Sequence, residues 1–233
     1  MKLNTIYSKM KAFTLAEVLL VVAIIGITAA IALPNLSQNV DEDKYVMLAK
    51  TTYNELDTAF SRMLTNKSIV EIIDDAGATT SAAGTKAIVD ELSKYIKMGT
   101  NCGNEITKCH NSSKKYVEYD GSSIEDKTFG KSFSDAAAAF TLPSGAVVVV
   151  YDPSNVNHGF NVYFDVDGVK GPSKKGVDIF DVQIYEEGLR TITNADSGSI
   201  EPDYQALDWV LSIGNMDYLH CNDLNWSTKH QCD

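Results

Sequence analysis
The 233-residue sequence has no excess of basic charge, with 20 Lys and Arg against 31 Asp and Glu and a formal net charge of −11. A chain this acidic lacks the electrostatic footprint that nucleic acid or an anionic membrane surface would recruit, so no nucleic-acid partner is expected. Histidine is scarce: His110, His158, His220 and His230 are the four, and none lies in a His-Glu-x-x-His pattern or beside a Gly-x-Ser-x-Gly elbow. The common hydrolase constellations are therefore missing, and the chain is not expected to be an enzyme. Cysteine is limited to two local pairs, Cys102 with Cys109 and Cys221 with Cys232. Neither has the Cys-x2–4-Cys spacing of a structural zinc site. There is no internal repeat and no low-complexity tail.

The most consequential absence is local. From Val18 to Leu33 the chain carries no charged residue, yet Glu17 stands at the head of that run. A carboxylate deep in hydrocarbon costs on the order of 2.5–3.5 kcal/mol and marks function. From Phe13 to Pro34 the segment is about 22 residues, which as a helix spans a hydrocarbon core of ~30 Å. Lys2, Lys9 and Lys11 precede it and Asp41, Glu42 and Asp43 follow it. By the positive-inside rule the N-terminus is cytoplasmic and the remainder crosses to the other side. A secretory signal peptide cut after Ala30-Ile31-Ala32, or a plain single-pass anchor, would account for the apolar run. Neither has a use for Glu17.

The basic leader, the small residue Ala12, then Phe13-Thr14-Leu15-Ala16-Glu17 and an apolar helix reaching Pro34 together resemble the N-terminus of type IV prepilins and type II secretion pseudopilins. The resemblance implies that a prepilin peptidase cuts between Ala12 and Phe13 and methylates the new amino group, although Ala12 stands where that family usually has Gly. It implies a leader over 1–12, a transmembrane and filament-core helix over 13–34, and a periplasmic or extracellular pilin-like head over 35–233. Glu17 then pairs with the freed amino group of Phe13 on a neighbouring subunit and sets axial register. Gly26, with Ala29, Ala30 and Ala32, supplies close helix packing. The partners implied are copies of the chain, other pilins or pseudopilins, the peptidase, an inner-membrane assembly platform and the inner membrane itself. A membrane-tethered binding protein that never polymerises is the alternative.

On the far side of the membrane disulfides persist. Four cysteines allow three pairings, and proximity favours Cys102–Cys109 with Cys221–Cys232.

Beyond Pro34 the helical pattern continues. Val46, Ala49, Tyr53, Leu56, Phe60 and Met63 recur at three- and four-residue steps between polar positions, so one helix is expected from Phe13 to about Leu64, loosened or kinked at Pro34. Ala76 to Gly84 reads as a loop and Thr85 to Met98 as a short helix ending at Gly99. Strand vocabulary follows: Tyr116–Tyr119, Ala139–Leu142, Ala146–Tyr151 across the Pro143-Ser144-Gly145 turn, Phe160–Val166 and Ile179–Tyr185. Tyr204–Leu219 has helical spacing. Strands joined by turns favour an antiparallel sheet, and the fold class is α+β, a long helix packed on that sheet.

Asp165-Val166-Asp167-Gly168, continuing to Gly176-Val177-Asp178, alternates carboxylates and ends on glycine. A hard cation such as calcium needs oxygen ligands converging at ~2.4 Å while the chain turns sharply. It is not an EF-hand, since Gly176 stands where the Glu would be. It resembles the Asp- and Gly-rich loop near the C-terminus of the major pseudopilins, which implies Asp165, Asp167 and Asp178 as calcium ligands. A polar turn between two strands is the competing reading.

Overall fold
The computed structural model describes residues 14–109, 116–124, 136–152, 159–168, 170, 173–191 and 198–233, with backbone but not side chains over 29–40. Two compact units divide the chain, Met1–Asp41 and Glu42–Asp233. Helix α1, Leu15–Asn66, supplies the described part of the first and the opening of the second, and its backbone is helical at position 34.

In the first unit the large side chains Val18, Leu19, Leu20, Val21, Val22, Ile24, Ile25 and Ile27 are each 47–63% exposed. Within the apolar run Thr28 satisfies itself, its hydroxyl donating to the Ile24 and Ile25 carbonyls at 3.0 Å each. Among the described residues no helix is long and apolar enough to cross a membrane. The end of the apolar run, 29–33, is described as helical backbone alone.

The second unit is built on a six-stranded sheet in the order β1 (Thr100–Gly103), β4 (Ala137–Thr141), β5 (Val147–Tyr151), β6 (Phe160–Asp165), β7 (Ile179–Tyr185) and β8 (Gly188–Thr191), antiparallel throughout. Side chains alternate between its faces. Ala138, Phe140, Val148, Val150, Val162, Phe164, Phe180 and Val182 meet Leu56, Phe60 and Met63 of α1, Ile88 and Leu92 of α3 (Ser81–Leu92) and Val210 of α4 (Pro202–Ser212) in the main core. Ala137, Ala139, Val147, Val149, Tyr163 and Ile179 form a second core with Cys102, Ile106, Cys109 and Tyr116. A sheet covered on both faces explains why β5 is four valines in a row rather than an alternating strand.

Several boundaries differ from the sequence expectation. The stretch Ala76 to Gly84 is not all loop. Helix α3 starts at Ser81, because the Thr80 side chain accepts from the Ala83 N–H at 3.2 Å, and its Gly84 faces Ile73 of α2 (Ile69–Asp75), where an added Cβ would make only an ordinary contact at 3.9 Å. That short helix was not anticipated; Ser68 and Glu71 start it with a reciprocal capping box. α3 stops at Leu92 instead of reaching Met98, since Lys94 and Tyr95 switch to i−3 bonds. The expected strand Tyr116–Tyr119 is reduced to β2, Tyr116–Val117, turned by Gly121 into β3, Ser123–Ile124. Leu142 lies in the turn after β4, where its N–H donates to Ala146 O at 2.9 Å. The last expected helix is broken by Gly214, at φ 91°, into α4 and a 3-10 turn at Asp217–Leu219.

Candidate functional site
At the start of α1 the Thr14 N–H and hydroxyl donate to Glu17 Oε2 at 2.8 and 2.9 Å, and the Glu17 N–H donates back to Thr14 Oγ1 at 3.2 Å. This is a capping box, in which two helix-end donors are satisfied reciprocally. Glu17 thus has an intrachain partner that the sequence reading did not assign it, although Thr-x-x-Glu is the pattern for one. Ala12 and Phe13, the expected processing junction, lie outside the described residues. At Gly26 an added Cβ would have nothing within 4 Å, so in the single chain this glycine relieves no crowding.

The acidic loop is brought together. Asp165 ends β6, Asp167 follows in the turn and Asp178 precedes β7; one carboxylate oxygen of each lies within 4.8 Å of the others. The turn is fixed by Gly168 at φ 67°, whose N–H donates to Asp165 Oδ1 at 2.8 Å. No other residue fits there, because a Cβ would stand 2.1 Å from the Gly145 carbonyl of the neighbouring hairpin. Asp178 is fully buried and takes the Ser173 and Lys174 N–H groups on its two oxygens at 2.7 and 2.6 Å. Holding Ser173 on that carboxylate forces a non-glycine residue to φ 52°.

Two oxygens in this loop, Asp167 Oδ1 and Ser173 Oγ, are buried and accept no hydrogen bond among the described residues. The other Asp167 oxygen, Oδ2, accepts from the Tyr45 hydroxyl of α1 at 3.3 Å. Burial pushes the Tyr116 phenol well up, and the Asp165 and Asp178 carboxylates add to that shift. Two nearby lysines are turned elsewhere: Lys174 Nζ sits over the Tyr119 ring, and Lys175 Nζ over Tyr204 and 4.0 Å from Asp181. These converging oxygen donors are of the hard type that a calcium-like ion takes, and Asp165, Asp167 and Asp178 are the residues that could hold it.

Both local disulfides are formed, Cys102–Cys109 and Cys221–Cys232. His220 meets Glu42 of α1 at 2.9 Å and His230 meets the Trp226 carbonyl at 2.9 Å, while His110 and His158 lie outside the described residues. Sequence reasoning missed Thr14, Tyr45, Ser173 and the Glu42–His220 contact; only the first had a local signal.

Comparison with known families addresses the N-terminus. Residues 7–33 match the prokaryotic N-terminal methylation motif. This motif is the prepilin-type signature of pilins and pseudopilins, and it spans the Ala12–Phe13 junction, Glu17 and the charge-free run. It marks a structural family and supports a pilin-type protein. No curated protein and no solved structure matches the chain.

Proposed function
We propose that the chain is a structural subunit of a type II secretion pseudopilus or a type IV pilus, processed before Phe13 and assembled through its N-terminal helix. The observation that carries this reading is the methylation motif over residues 7–33, with a lone carboxylate at the head of its apolar run. On this proposal the helix from Phe13 to Pro34 resides in the inner membrane, with residues 1–12 cytoplasmic, until an assembly platform moves it into a filament of like helices. Removing residues 1–12, with three lysines and no acid, takes the net charge from −11 to −14. Mass spectrometry of the membrane-extracted protein should find N-methylated Phe13 at the terminus. A terminus at Leu33, or an intact Met1, would overturn the reading, and failure to recover filaments after mild shear would favour the non-polymerising, tethered alternative.

The acidic loop supports a second element of the proposal, calcium held by Asp165, Asp167 and Asp178. Three carboxylates, two of them buried, gathered within 4.8 Å repel one another unless a cation neutralises them. This feature favours the pseudopilus over the pilus. Binding to the folded state alone stabilises it by about 2.7 kcal/mol at a hundredfold excess over the dissociation constant. The detergent-solubilised full chain should melt higher in millimolar calcium than in chelator, and Asp178→Asn should abolish the difference. An unchanged melting curve for the unmutated chain would leave the loop as a turn.

A further inference from the structure
The first turn of α1 inside the second unit carries two long-range polar contacts three residues apart. Glu42 meets His220, and Tyr45 donates to Asp167. The rest of α1 in this unit is held mainly by its apolar stripe, which begins at Val46. The fastening of this turn is therefore polar and depends on the orientation of its acceptors.

Asp167 is divided between two tasks. Its Oδ2 faces the Tyr45 hydroxyl, whereas its Oδ1 is buried without a hydrogen bond among the described residues and is the oxygen left for a cation. At 3.3 Å the Tyr45 bond is long for an O–H donor, whose usual distance is about 2.7–2.8 Å. A carboxylate crowded by Asp165 and Asp178 and anchored on one side only is a loosely set acceptor.

We infer that Tyr45 couples the acidic loop to α1, so that a divalent cation held through Asp167 tightens the Glu42–Ala49 stretch of the helix. The coupling rests on the calcium reading above. An ion on Oδ1 fixes the carboxylate plane, removes the repulsion that lets Asp167 turn away, and presents Oδ2 to Tyr45 in one orientation. By linkage the effect runs both ways: whatever factor the ion gains in holding the helix turn, Tyr45 returns in ion affinity. Tyr45 is a positioning residue on this account and not a ligand. The Glu42–His220 contact lies outside the loop and keeps the turn docked when the Tyr45 bond is lost.

The test is amide hydrogen exchange over residues 42–49 of the detergent-solubilised full chain, with and without calcium, alongside calorimetric titration with calcium chloride. Unmutated protein should exchange several-fold more slowly in this segment when calcium is present. Tyr45→Phe keeps the ring and its packing, so the protein should fold; it should lose the calcium-dependent part of the protection and bind calcium several-fold more weakly. His220→Asn should raise exchange in the segment with and without calcium yet retain the calcium-dependent slowing. Calcium binding with no change in exchange over 42–49 would overturn the coupling and leave the calcium reading standing. So would equal affinity and equal protection in Tyr45→Phe. No calcium binding to the unmutated chain would remove both.

Discussion

Asp208 shows how one side chain reports on its surroundings. It lies half-buried on α4, where its Oδ1 accepts from Thr191 Oγ1 at 3.3 Å. Burial raises its carboxyl above the ordinary range, and the Thr191 bond lowers it by less. The Tyr53 phenol, itself raised by burial, is raised further by the Asp57 and Asp208 charges. A carboxyl whose folded pKa is raised favours the folded state while protonated. That contribution is complete below the unfolded value of about 3.9 and is lost as pH rises through the folded one. Asp208→Asn should therefore melt higher than the parent at pH 7, with the gap narrowing as pH falls through the raised folded value and closed below about 4. Thermal melts of both proteins across that range check it, and a gap that widens on acidification would reverse the assignment.

At the scale of elements, what was legible followed the strength of the local period. The amphipathic half of α1 was readable because Val46, Ala49, Leu56, Phe60 and Met63 are all buried and recur at helical spacing. Strand β7 was read to the residue, and the hairpin joining β4 to β5 was announced by Pro143-Ser144-Gly145. What failed to show was set by distant contacts. β8 is four residues long and is completed by α1: the Leu189 N–H donates to Asp57 Oδ1 at 3.3 Å, the Tyr53 hydroxyl to the Leu189 carbonyl at 3.5 Å. Those side chains block the outer edge of the strand, where an open one would invite pairing with another chain. β1 is equally short and bulged, and its residues pair with a strand some forty positions away, as in Thr100 with Thr141. The alternating aspartates of the acidic loop were visible as a pattern. The Tyr45 donor and the strained Ser173 were not, since nothing near either residue in sequence foretells a partner brought by folding.

At the scale of the whole molecule, the proposed assembly gives Glu17 two roles to reconcile. In the single chain its carboxylate is satisfied by Thr14, as the reciprocal half of a helix cap. In the proposed filament it pairs with the Phe13 amino group of a neighbour, and the cap serves to hold the carboxylate until that partner arrives. An unpaired carboxylate among apolar helices costs several kcal/mol, whereas a paired one offsets much of that and fixes register. The two roles separate by chemistry. Glutamine keeps the carbonyl oxygen that a capping box needs and loses the charge; valine loses both. Glu17→Gln and Glu17→Val should both be inserted and processed before Phe13, and both should yield far fewer filaments on mild shear than the parent. Filaments at the parental level from Glu17→Gln, with a loss confined to Glu17→Val, would assign Glu17 to the cap alone and dismiss the charge pairing.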